Sequence, residues 1–246
     1  MNWLYLALNL GSIAIPLAFS FEKRARFYKN WPALFPALII TAAFFLVWDF
    51  WFTEIGIWHF NPEYVSGYNL VNLPFEEWMF FIFIPYACVF IHESLKYYFK
   101  KTPFDAHGKT IAIVLGILFL IIGLTTTERL YTTVTFTLLG LFLMLIVYAF
   151  NTDYLGRFFL TYLVSLIPFA LVNGILTGMP VLIYNNNENL ALRIGTIPIE
   201  DFFYSMLMLL INITIYEHLL HRNQNQVTVQ NGESDPVKEN KTKEYH

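Results

Sequence analysis

The chain has 246 residues, of which 57% are hydrophobic, 19% aromatic and 13% charged, with a formal net charge of −3. A soluble domain carries about 25% charged residues, so this composition, with a mean hydropathy of +0.51, indicates a polytopic membrane protein and excludes a two-domain soluble one. The net charge is too small to imply a nucleic-acid partner. The single cysteine, Cys88, lies in an apolar run and reads as a packing residue, with neither a disulfide nor a metal cluster to serve.

The first apolar stretch, 3–21, lacks a preceding basic region and a small-residue cleavage site, so it reads as a retained helix and not a removed signal peptide. Further apolar stretches follow at 32–50, 75–97, 109–125, 130–150, 157–176 and 198–220. Crossing a bilayer takes about 20 residues, so the expectation is an all-α membrane protein with seven transmembrane helices. The fourth stretch is the weakest, because Gly116, Gly123 and its threonine end shorten it. From His221 onward the chain is polar without apolar periodicity, and a disordered tail is expected.

Lys and Arg placement predicts the orientation. Arg129 and Arg193 fall on one side, and every other Lys and Arg falls on the opposite side. The N-terminus is therefore expected outside and the C-terminus in the cytoplasm, in a multi-pass protein of the cell membrane.

One acidic helix-start pattern occurs twice. Leu73-Pro74-Phe75-Glu76-Glu77-Trp78-Met79-Phe80 opens the third stretch, and Ile197-Pro198-Ile199-Glu200-Asp201-Phe202-Phe203-Tyr204 opens the seventh, 124 residues later. The same offset aligns Asp49 with Asn173, Thr53 with Thr177, Phe60 with Tyr184, Asn61 with Asn185 and Glu93 with Glu217. The layout expected is two parallel three-helix repeats joined by a linker helix. Its divisions are 1–108, 109–126 for the linker, 127–222, and a tail at 223–246. A pseudo-twofold axis along the membrane normal would bring both acid pairs to one outward cavity.

Proline at the first helical position and acids in the first turn also make a good helix start with no further role. Capping does not require Glu76 and Glu200 at equivalent places, however, and carboxylates at the mouth of a membrane helix are expensive. His92, Glu93, Glu217 and His218 lie about four turns away and read as residues of the inner end. The loop aromatics Trp51, Trp58, Phe60, Tyr64 and Tyr68 suit an interfacial belt. Some of these rings could instead line the cavity and stabilise a cation through their π faces.

Trp58-His59-Phe60-Asn61-Pro62-Glu63-Tyr64, followed by the first acidic pattern, resembles the small integral-membrane lycopene cyclases. These occur as heterodimers of two short subunits, as one fused chain, or as the cyclase half of bifunctional fungal carotenoid enzymes. Gly195-Thr196-Ile197-Pro198-Ile199-Glu200-Asp201-Phe202-Phe203 is similar to the pattern of the second subunit, so the chain looks like the fused form. In the second loop Asn186 stands where Pro62 would repeat, and no tryptophan matches Trp58.

The resemblance implies a lycopene beta-cyclase. Such an enzyme is an intramolecular lyase or isomerase that makes beta-carotene through gamma-carotene with no net redox change. Glu76 and Glu200 are then expected as the core acids, with Glu77 and Asp201 as their proton partners. Asp49, Asn61 and Asn173 would orient them, and Trp58, Phe60, Trp78, Phe80 and Tyr204 would bind substrate. The implied partners are a lipid-soluble linear carotenoid, membrane lipid and other carotenoid-pathway enzymes.

No Gly-x-Gly-x-x-Gly follows a strand, so no flavin or nicotinamide fold is indicated, and dependence on reduced flavin stays open. The Cys and His complement shows no metal site. Three rival readings are weighed, and the second is set aside. A transporter of parallel repeats would need broken helices and polar groups near mid-membrane. A retinal photoreceptor would need a lysine in the last helix, and 198–220 has none. A non-enzymatic assembly subunit would make the acids dispensable.

Overall fold

A computed structural model describes residues 3–23, 26–150 and 152–230. Among them are seven α-helices: α1 (Leu4–Phe19), α2 (Trp31–Glu54), α3 (Phe75–Tyr98), α4 (Gly108–Thr125), α5 (Leu130–Ala149), α6 (Leu155–Gly178) and α7 (Ile199–Gln230). Six of these are long and apolar enough to cross a membrane. The exception, α1, is apolar but has 16 residues. At 1.5 Å per residue it covers about 24 Å, short of a hydrocarbon core about 30 Å thick.

Pro16, Pro36, Pro85 and Pro168 all lie inside helices. Pro32 opens α2, and α3 and α6 run unbroken through Pro85 and Pro168. α4, at 18 residues, is the shortest of the six. Its Gly116 and Gly123 let it lie against α5, backbone to backbone. A Cβ added at Gly140 of α5 would stand 2.8 Å from the Gly116 carbonyl oxygen. The last helix differs from expectation. It continues through 221–230, because each further residue of an established helix adds one hydrogen bond at little cost. The rest of the expected tail, 231–246, lies outside the described residues.

Between α2 and α3 the chain forms β1 (Trp58–Phe60), β2 (Asn69–Leu70) and β3 (Leu73–Pro74). Between α6 and α7 it forms β4 (Leu182–Tyr184), β5 (Arg193–Ile194) and β6 (Ile197–Pro198). Every bound in the second set is 124 beyond its counterpart, as are both ends of α6 relative to α2. The backbone repeats in detail. Gly67 and Ala191 both take left-handed φ, of 84° and 56°, and so do Val71 and Gly195, at 60° and 64°. Asn61 Oδ1 accepts from Glu63 N as Asn185 Oδ1 accepts from Asn187 N.

The two loops meet through β1 and β4, which pair antiparallel with Trp58 opposite Tyr184 and His59 opposite Ile183. Since 59 and 183 also differ by 124, this strand pair is locally twofold about its central residues. Asn61 N donates to Val181 O at 2.9 Å and Asn185 N to Ile57 O at 2.8 Å, which extends the same exchange.

The α4–α5 contact should fail first when a side chain is forced into it. Gly140→Val is expected to cost about 1–3 kcal/mol, the usual penalty of overpacking. Thermal unfolding in detergent would show this as a lowered midpoint, and an unchanged midpoint would mean that α4 does not need the close approach.

Candidate active site

The two acid pairs open α3 and α7 at the same end of the bundle as the paired loops. Proline precedes each helix, and the first-turn carboxylates meet the positive end of the helix dipole. Consecutive helical residues point about 100° apart, so each pair divides its work.

Glu76 and Glu200 turn to the loops. Glu76 Oε1 accepts from Ser66 N at 2.7 Å, and Glu200 Oε1 accepts from Leu190 N at 2.7 Å and from Thr132 Oγ1 at 2.6 Å. Ser66 and Leu190 are again 124 apart. These two carboxyls, expected as the core acids, latch the loops and are not among the residues lining the cavity.

Glu77 and Asp201 turn inward instead. They line an apolar cavity of about 620 Å³ together with Asp49. All three are buried, at 6%, 4% and 2% exposure. The Tyr5 hydroxyl donates a short hydrogen bond to Glu77 Oε2. Asp201 accepts from Tyr131 Oη, Tyr184 Oη and Asn173 Nδ2, each at 2.7 Å. Asp49 Oδ1 accepts from Trp58 Nε1 at 2.7 Å, while its Oδ2 has no hydrogen-bond partner among the described residues. Asp49 and Glu77 are close enough to interact electrostatically. Burial and the neighbouring Asp201 push the Tyr184 phenol well above its ordinary range, so it remains a donor.

Aromatic rings wall the acid end. The Trp58 ring centroid lies 5.2 Å from that of Tyr131, 5.9 Å from Tyr184 and 6.4 Å from Tyr204. Below them the lining is apolar, with Phe80, Ile84, Phe169, Val172 and Met208. A cation formed here would face π clouds and carboxylates with little water to trap it.

The structure thus brings Asp49, Glu77, Asp201 and Asn173 together with Trp58, Phe80 and Tyr204. It does not bring in the others. Asn61 Oδ1 accepts from Glu63 N and closes a turn, and Asn61 is not among the residues lining the cavity. Phe60, at the far end of β1, packs between the two hydrophobic clusters. Trp78, one residue past Glu77, points about 100° away and is not among the lining residues. Sequence reasoning missed Tyr5, Tyr131 and Tyr184. Tyr5 and Tyr131 are 126 apart, and a slide with a two-residue gap would have aligned them.

At the other end of the bundle, His92 is buried between Thr161 Oγ1 at 2.8 Å and Glu217 Oε1 at 2.7 Å. Lys96 bridges Glu93 and Glu217. His92, Glu93 and Glu217 have three ligand-type atoms close together, but the Lys96 ammonium already matches their carboxylates.

The family model described as lycopene cyclase matches residues 2–95 and 128–219. The chain belongs to the lycopene cyclase family. The two matched segments hold the two acid pairs, and the unmatched stretch between them contains α4, so the family match covers two repeated segments of one polypeptide. No curated protein and no solved structure matches the chain. Family membership makes it a carotenoid cyclase acting on lycopene at a membrane. The transporter alternative gains no support, since α3 and α6 are continuous and the acids of both pairs sit at helix starts.

The latch role of Glu76 separates hydrogen-bond acceptance from charge. Glu76→Ala leaves the buried Ser66 N–H unpaired, at a cost of about 1–3 kcal/mol. Glu76→Gln keeps an acceptor and should keep most of the loop's order. Limited proteolysis of the 61–72 loop is expected to be several-fold faster in the alanine variant and near wild type in the glutamine one. Equal cleavage of the two would remove the latch.

Proposed function

We propose that the chain is a lycopene beta-cyclase that starts cyclisation with a carboxylic acid and closes a ring at each end of the substrate, giving beta-carotene through gamma-carotene. What supports this most is that three buried carboxyl groups converge on one aromatic-walled, otherwise apolar cavity.

The chemistry needs a proton delivered to the terminal double bond of the polyene. The tertiary cation that results is attacked by an internal double bond, which closes a six-membered ring and moves the charge to a ring carbon. Loss of a neighbouring proton leaves the ring double bond. One proton is gained and one is lost, so the step is an isomerisation without net redox change.

Two neighbouring carboxyls in an apolar site do not both ionise readily, so one of them holds a proton. In this reading the Asp49–Glu77 pair holds that proton, and Tyr5 and Trp58 orient the two members. Asp201 accepts three hydrogen bonds and has the features of a fixed carboxylate. It stabilises the developing cation and takes the last proton. Trp58, Tyr204 and Phe80 hold the reacting end. Glu76 and Glu200 support the site by holding its loops.

The same reading takes α1 as a short seventh span. It takes α1–α3 and α5–α7 as parallel repeats joined by α4, with the acid end outside and the Lys-rich end in the cytoplasm.

Expression of this chain alone in a lycopene-accumulating bacterium is expected to convert the red pigment to a bicyclic carotene, read by chromatography. Unchanged lycopene, with the chain shown in the membrane, contradicts the proposal. Glu77→Gln and Asp201→Asn should each lower turnover by about 10²–10⁴-fold, the usual worth of a positioned acid or base, at near-normal membrane level.

A further inference from the structure

We infer that substrate ends enter and leave through one lateral window between α1 and α6, and that the counterpart seam of the other repeat, beside α2, is filled by aromatic rings of α2, α3 and α7. Both ends of one molecule would then use the same cavity in turn. This rests on the carotenoid reading above.

The window is drawn by residues that line the cavity and also face outward from the bundle. On α1 these are Ala7, Gly11 and Ile15, one turn apart; on α6 they are Pro168 and Leu171. A Cβ added at Gly11 would meet nothing within 4 Å. The surface outside is apolar, as a route from lipid requires.

The counterpart seam has different side chains. Shifting the cavity residues Ser165, Phe169, Val172 and Ser205 back by 124 gives Thr41, Phe45, Trp48 and Phe81, all buried. Phe45 stacks on Trp48 at 5.6 Å and on Phe81 at 6.1 Å, and meets Tyr204 edge-on at 5.0 Å. Two large rings thus stand where the open side has a serine and a valine. The backbone repeats, but the second cavity is filled.

The test places bulk in the window. Gly11→Trp, at normal membrane level, is expected to lower lycopene turnover at least tenfold. Val114→Trp, on the 59% exposed outer face of α4, should stay within twofold. A second readout needs no catalysis. A nitroxide is attached to Gly11→Cys, or to Val47→Cys on the outer face of the counterpart seam (Val47 is 72% exposed), each in a Cys88→Ser background in lipid. Lycopene should slow the probe at least twofold at position 11 and leave position 47 unchanged. Equal slowing at both positions, or wild-type turnover in Gly11→Trp, overturns the single window. If wild type makes no cyclic product but lycopene still slows only the probe at position 11, the window stands and the cyclase reading falls.

Discussion

Burying carboxyl groups in an apolar membrane cavity is the constraint on which the rest of this structure depends. A buried carboxyl without donors is costly, and the surrounding fold must supply the missing hydrogen bonds. Here no donor is local. Glu77 of α3 is met by Tyr5 of α1, and Asp49 of α2 by Trp58 of β1. Asp201 of α7 is met from α5, α6 and β4. Satisfying three acids therefore ties six helices and both loops into one arrangement. The β1–β4 pairing is the keystone, because it carries Trp58 and Tyr184 from opposite halves to the same place.

The repeat accounts for the scaffold, and divergence between the halves accounts for the site. Loop hairpins, left-handed turn positions and the Glu76 and Glu200 latches recur at one offset. The cavity residues do not. Asp49 faces Asn173, Glu77 faces Asp201, and Phe81 faces Ser205 across the repeat. A symmetric scaffold thus holds an asymmetric centre, with two acids from one half and one heavily hydrogen-bonded acid from the other. Acid and base chemistry needs such a difference, since groups in identical surroundings would hold their protons alike.

Much of this was legible in the sequence. The helices were readable because apolar runs of about 20 residues in a chain with so little charge have few other uses. The acid pairs stood out because helix starts in lipid seldom spend two carboxylates. What could not be read was which member of each pair faces inward. The two differ only by the 100° turn between neighbours, and Glu76 and Glu200, the identical pair, are the ones that accept from loop backbone. The tyrosine donors were hidden by a two-residue shift between Tyr5 and Tyr131, and Asn61 was read as an orienting residue although its short side chain closes its own turn. The continuation of α7 to Gln230 was missed because polar composition alone does not end an established helix.

The central claim is that a carboxylic acid in exchange with water begins the reaction and that no electrons are consumed. Mass spectrometry of carotene made by purified protein in lipid and deuterated buffer tests it most directly. After many turnovers each new ring should carry one solvent deuterium, at the ring carbon next to the gem-dimethyl carbon, with no reductant used up. Unlabelled rings, or a stoichiometric demand for reduced nicotinamide, would contradict the account.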